Sequence, residues 1–232
     1  MIPLNDINPH QKPPLMTGAI IIVSALVFLY EKSLSKDALQ RFFAIYGMVP
    51  ARYIDLNWAM ERALLQYNPL PFITNMFLHG GWMHFFVNMW TLWLFGDNVE
   101  DHVGHVGFLV FYILCGVIAN MAHFLFNIHS AVPIIGASGA IAAVMGAYML
   151  IFPRARIVVL VPVFFIPYFL EVPAFFYFGL WLLIQIFSAL SSQDSLSSGG
   201  VAWWAHIGGF IMGVFLLSFF RKKKRISFLY DN

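Results

Sequence analysis

Charge is scarce in this chain. Only 10% of its 232 residues are charged, while 60% are hydrophobic. A soluble domain carries about 25% charged residues. That shortage, with a mean hydropathy of +0.77, excludes an ordinary water-soluble globule and points to a polytopic membrane protein. Cysteine is nearly missing. A single Cys115 excludes an internal disulfide and any C-x-x-C metal or redox pair. Within its apolar run it reads as a small packed hydrophobe. A nucleic-acid surface is excluded as well, because the net charge is only +2 and no basic stripe alternates with aromatics. The one basic run, RKKKR at 221–225, follows a hydrophobic segment and reads as a membrane-flanking anchor. The zinc-protease pattern H-E-x-x-H is absent. Two membrane-embedded aspartates, as an aspartyl protease of the membrane needs, are absent too. No metal or other cofactor is expected.

What is present is a series of apolar runs. Six approach the roughly 20 apolar residues that a span takes: residues 15–30, 75–95, 106–128, 136–152, 172–190 and 201–220. The fold expected is all-α, a polytopic bundle of six transmembrane helices over residues 15–220. A short tail (1–14) precedes it and a basic tail (221–232) follows. The start, MIPLNDINPHQKPPL, lacks the basic patch, apolar core and cleavage site of a signal peptide, so the first run is expected to stay as a span. A seventh apolar stretch, 157–170, is shorter and holds Pro162 and Pro167, which break a helix interior. It is expected as a loop or interfacial segment. Six spans put RKKKR, Arg154, Arg156 and Lys12 on one side. These are eight of the 13 basic residues, and the positive-inside rule makes that side cytoplasmic. Both termini are then cytoplasmic, in a cell (inner) membrane. The long first loop, 31–74, holds Phe42, Phe43, Ile45, Tyr46, Trp58, Leu64 and Leu65, which predicts helical pieces in the interface. Residues 191–200, SSQDSLSSGG, are expected to form a flexible outer loop.

Polar groups inside spans are functional suspects by default. They are His84 and Asn88 in span two, Ser138 in span four and His206 in span six. These three spans run the same way, and each residue lies early in its span. All four therefore sit at similar depth. His84 and Asn88, four residues apart, share one helix face. Ser138 lies in GASG at 136–139, shortly after Pro133. The helix is expected to start within the membrane, where irregular backbone is tolerated beside a wet cavity. Its free N–H groups would favour negative charge. Ser138, Ala142 and Gly146 form one small-residue stripe, and Gly209 and Gly213 continue from His206 in another. Stripes of this kind let helices approach closely. Packed together they would bring Ser138 and His206 within hydrogen-bonding reach, a nucleophile and its base. Taken singly, each residue has a structural alternative: a packing serine bonded one turn back, a packing histidine, polar groups bonded to neighbouring helices. Of the other histidines, His10, His102, His105 and His129 are expected to be solvated. His123 has no obvious partner, and His79 is expected to line the entrance or cap span two. Glu100 is expected as a structural carboxylate.

The residues also match a family. HGGWMHFFVNMWTLWLFG at 79–96, FGDNVEDHVGHVGFLVFYILCG at 95–116, GASGAIAAVMGAY at 136–148 and WWAHIGGFIMG at 203–213 together resemble the rhomboid intramembrane serine proteases in their basic six-span bacterial form. The resemblance covers roughly residues 60–220. It implies a serine endopeptidase acting on transmembrane protein substrates near the outer face, with Ser138 as nucleophile and His206 as base. It implies oxyanion stabilisation by His84, Asn88 and the Ser138 backbone N–H. The resemblance also implies that Gly136 shapes the adjoining loop, with Ala137 beside it. Span five and the loop after it would gate entry. One departure is visible: some members carry an aromatic one turn after the serine, stacked on the histidine, and here that position is Ala142. No acid lies beside the pair within the spans, so a dyad is expected rather than a triad, with the support behind His206 unassigned. Three rival readings are weaker. Haem between His84 and His206 leaves Asn88 and GASG unexplained. A transporter would show repeats. A proteolytically silent binding factor or chaperone would typically lack Ser138 or His206.

Overall fold

A computed structural model describes residues 1–8, 12–64, 67–164, 166–191 and 200–220. His10, residues 192–199 of the expected outer loop and the RKKKR tail lie outside them. The chain is predominantly helical. Strand β1 (Ile2–Asp6) leads into α1 (Leu15–Ser33). Four short helices follow: α2 (Lys36–Tyr46), α3 (Ala51–Ile54), α4 (Leu56–Glu61) and α5 (Pro71–Thr74), with a single 3₁₀ turn at Asn75–Phe77. These are the helical pieces expected in the first loop. Ser35 accepts from the Ala38 N–H at the head of α2, and Asp55 accepts from the Trp58 N–H at the head of α4, so two polar side chains set two starts. Long helices α6 (Trp82–Val103) and α7 (His105–Phe126) come next, then α8 (Ser138–Ile151). A hairpin of β2 (Arg156–Val163) and β3 (Ile166–Pro173) leads to α9 (Ala174–Ser191) and α10 (Trp203–Phe220).

Helix α8 is the axis of the bundle. Every residue from Gly139 to Tyr148 is buried, and α10, α7, α6 and α9 all pack against it. The outer helices turn large apolar side chains outward instead: Ile22 and Leu26 on α1, Leu125 on α7, Phe187 on α9 and Phe215 on α10 are all exposed. In water such a surface would aggregate; in lipid it is the solvated face. Helices α1, α7, α9 and α10 are long and apolar enough to cross a membrane. The other two expected spans differ. Helix α6 carries Asp97, Glu100 and Asp101 in its last two turns. Helix α8 has 14 residues, about 21 Å at 1.5 Å per residue, so it falls short of a hydrocarbon core of about 30 Å.

An all-α fold is not what forms. Strands β1, β2 and β3 make an antiparallel sheet in that order. The stretch expected as a loop, 157–170, is most of its hairpin. Ile157, Val158, Val159, Val161 and Val163 are β-branched, which favours the pleated backbone over a helix. The two prolines do not block pairing. Pro162 stands opposite Pro167 one step from the turn. The last β1 partner on β2 is Leu160, so Pro162 lies beyond the end of β1, and Pro167 is on the open edge strand. Ile157 and Val159 are wholly buried in the main core, which fastens the sheet to the bundle.

Candidate active site

The small-residue stripes dictate how close α8 and α10 come. A Cβ on Gly209 would strike the Gly139 carbonyl, one on Gly213 the Ala143 carbonyl, and one on Gly146 the Phe210 carbonyl. Backbone therefore lies directly on backbone. On α8 the contacted stripe is Gly139, Ala143 and Gly146, one position on from the Ser138 and Ala142 expected. That shift leaves the Ser138 side chain beside the interface, half-buried. Its Oγ lies 2.8 Å from His206 Nε2.

His206 is held on several sides. Its Nδ1 lies 2.8 Å from Gln185 Oε1 on α9. Trp181, one turn earlier on α9, lies 5.8 Å from the imidazole between ring centroids, tilted by 34°, and Trp203 meets it edge-on at 6.1 Å. Ala142 is wholly buried, and the aromatics beside the histidine come from α9 and the start of α10. Gln185 and Trp181 are site residues beyond those expected from the sequence. Both follow from rules already in use: Gln185 is a polar group in an apolar span, and Tyr177, Trp181 and Gln185 recur every four residues on one face.

Ahead of α8, the chain turns through Gly136, whose φ is +121°. Its N–H donates to the Asn75 carbonyl at 2.9 Å. A Cβ there would sit 2.6 Å from His84 Nε2 and 3.8 Å from Ser138 Oγ. The missing side chain thus lets the His84 ring lie against the turn that presents the serine. Asn88 spends one amide N–H on the His84 carbonyl at 2.8 Å and has a second donor to offer. Ala137, wholly buried, precedes the first helical residue. The backbone N–H of Ser138 belongs to the first turn of α8, whose N–H groups lack intrahelical partners.

Ser138, His206 and Asn88 line one cavity of about 600 Å³, with Trp181 and Tyr177 of α9 on one wall and Met83 and Val87 of α6 on another. Residues Met1–Leu4 line it too, and Trp90 Nε1 donates to the Pro3 carbonyl at 2.8 Å, fixing β1 to α6. The other histidines fall differently. His79 is 1% exposed rather than at an entrance; its N–H donates to Glu31, and its ring packs on Phe28, Phe85 and His84. His105 is not simply solvated, because its Nδ1 pairs with Glu100 at 2.5 Å. His123 is buried. No cluster of three or more metal-ligating side chains occurs among the described residues.

A multi-pass membrane bundle with a serine and a histidine in contact at the wall of a cavity defines the class of protein. Residues 67–223 match the rhomboid domain, and the chain belongs to the rhomboid family. It is 25% identical over 178 residues to the mitochondrial presenilin-associated rhomboid-like protein of Homo sapiens, covering 69% of this chain and 43% of that protein. It is 27% identical over 150 residues to mitochondrial rhomboid protein 1 of Saccharomyces cerevisiae, covering 62% and 40%. A third relative, the chloroplastic rhomboid-like protein 11 of Arabidopsis thaliana, is 36% identical over 84 residues, covering 34% and 30%. The chain spans less than half the length of each of these relatives.

Proposed function

We propose that this chain is an intramembrane serine endopeptidase working through a dyad of Ser138 and His206. The observation that carries the reading is the 2.8 Å contact between Ser138 Oγ and His206 Nε2 at the wall of a cavity. In the proposed reaction, Ser138 Oγ attacks the scissile carbonyl of a transmembrane substrate while His206 Nε2 takes the hydroxyl proton. The oxyanion accepts hydrogen bonds from the Ser138 backbone N–H, Asn88 and His84. Collapse breaks the C–N bond, and His206 returns its proton to the leaving amine. Water, deprotonated by the same imidazole, then hydrolyses the acyl-enzyme. Gly136 and Ala137 shape the turn that presents the Ser138 N–H and against which the His84 ring lies.

All six long or apolar helices cross the membrane in this reading, α8 as a short central span packed on every side. The even number of spans and the basic residues at Arg154, Arg156, Lys12 and 221–225 favour both termini on the cytoplasmic side of a cell membrane. Cleavage then falls toward the opposite face.

The test is labelling of the purified protein with a fluorophosphonate, alongside cleavage of a single-span model substrate in liposomes. Ser138→Ala and His206→Ala are each expected to lower cleavage by at least about 10³-fold, with the thermal transition within a few degrees of wild type. Full activity in Ser138→Ala would overturn the assignment.

A further inference from the structure

Gln185 completes the α9 face that begins with Tyr177 and Trp181. It is only 5% exposed, whereas Leu183, Ile184 and Phe187 around it on the same helix are exposed. A buried amide is tolerated when its polar atoms find partners. Its partner among the described residues is His206, with Oε1 at 2.8 Å from Nδ1. The opposite ring nitrogen, Nε2, faces Ser138 at the same distance.

A neutral imidazole carries one proton on one of its two nitrogens. With an amide oxygen against Nδ1, the proton is stable there, and Nε2 keeps a lone pair for the Ser138 hydroxyl. With an amide NH₂ group against Nδ1, the proton would be driven to Nε2. The ring would then meet the serine as a donor and accept nothing from it. Only the first arrangement makes a base. We infer that Gln185 is a positioning residue: its carbonyl oxygen holds His206 as the Nδ1–H tautomer and fixes the ring plane, so that Nε2 faces Ser138 as an acceptor. This inference rests on the proteolytic reading of the dyad. The amide takes the orienting part that a buried carboxylate plays in soluble serine proteases. A neutral group also avoids the desolvation of a second ion inside the bundle. It brings no net charge to the imidazolium formed during attack, so it orients without strongly stabilising that cation.

The test compares Gln185→Met, similar in length but without an oxygen acceptor, with Gln185→Glu, which keeps the acceptor and adds charge. Wild type and variants are measured in liposomes for kcat and KM across pH. The tautomer of His206 is read from ring ¹⁵N shifts in histidine-labelled protein, assigned by the signal lost in His206→Ala. Gln185→Met is expected to lose roughly 10–100-fold in kcat, by analogy with the range for groups that orient a metal-bound imidazole from behind, with KM unchanged. Its His206 should show mixed tautomers. Gln185→Glu should regain most of that kcat, and the acid limb of its pH profile should move to higher pH, because a carboxylate favours the imidazolium. Wild-type kcat and an unmixed Nδ1–H tautomer in Gln185→Met would overturn the inference, as would an Nε2–H tautomer in the wild type. An Nδ1–H tautomer that Gln185→Met disrupts, in a protein whose Ser138 takes no label, would support the positioning and sink the proteolytic reading instead.

Discussion

Gly136 shows how much a single residue can decide. Its φ of +121° lies where side chains other than glycine's are strained, and the space a Cβ would take is filled by the His84 ring. Gly136→Ala therefore combines backbone strain, about 1–3 kcal/mol, with a displaced donor at the proposed oxyanion site. Thermal unfolding in detergent should show the loss of stability, and turnover of the folded fraction should fall by at least about 10-fold. A variant that is destabilised but cleaves at the wild-type rate would remove Gly136 from the site's geometry. Much at this scale was legible in the sequence. Depth along parallel spans selects His84, Asn88, Ser138 and His206; the last three line one cavity, while the His84 ring lies against the turn at Gly136. Gln185 was harder to see because span five runs the other way. The matching depth is late in that span, and the group there is an amide, not an acid. His79 reads from sequence as an entrance residue or a cap of span two because its partners, Glu31 and Phe28, lie on α1, far away in sequence.

Between elements, the contact of α8 with α10 brings serine to histidine. Its closeness depends on glycines that meet carbonyls. Gly213→Val would drive a side chain into the Ala143 backbone and push the helices apart two turns below His206. Overpacking of this kind costs about 1–3 kcal/mol, and the widened Ser138–His206 gap should slow fluorophosphonate labelling. Gly18→Ala and Gly179→Ala serve as controls, since a Cβ at either position meets nothing within 4 Å. Equal effects from all three substitutions would mean that helix propensity, not the interface, is being measured. The α10 stripe was legible, and so was Gly146 on its partner, but Ser138 and Ala142 stand one residue short of the contacting Gly139 and Ala143. Small residues fill so much of GASGAIAAVMGAY that composition alone does not choose the face. The sheet was hidden for another reason. Prolines argued against a helix at 157–170, but strand β1 finds its partner about 150 residues along the chain, and no local pattern in five residues announces such a pairing.

Across the whole molecule, α1 is tied to the bundle at both ends by carboxylates. Near its start, the backbone N–H groups of Met16 and Thr17 donate to Glu100 of α6 at 2.9 and 2.8 Å. The Thr17 hydroxyl and His105 of α7 bond to the same group. An anion at a helix N-terminus meets both the free N–H groups and the positive end of the dipole. Near its end, Glu31 of α1 accepts the His79 N–H just before α6. Glu100 is 1% exposed, and it joins three helices at the end of α6 away from the proposed dyad. Glu100→Ala strands several buried donors at once and should lower stability by at least about 3 kcal/mol, read as a fall in Tm in micelles. Glu100→Gln keeps acceptor capacity on one oxygen and should fall between that variant and the wild type. Neither change touches the cavity, so below its transition each variant should label Ser138 at a rate within about two-fold of wild type. If labelling collapses while the protein remains folded, the position of α1 is coupled to the site through His79 and His84, which stand ring to ring at 5.3 Å. That coupling would be absent in a double variant that also replaces His79 with leucine, and the two outcomes separate a scaffold carboxylate from one that tunes the dyad.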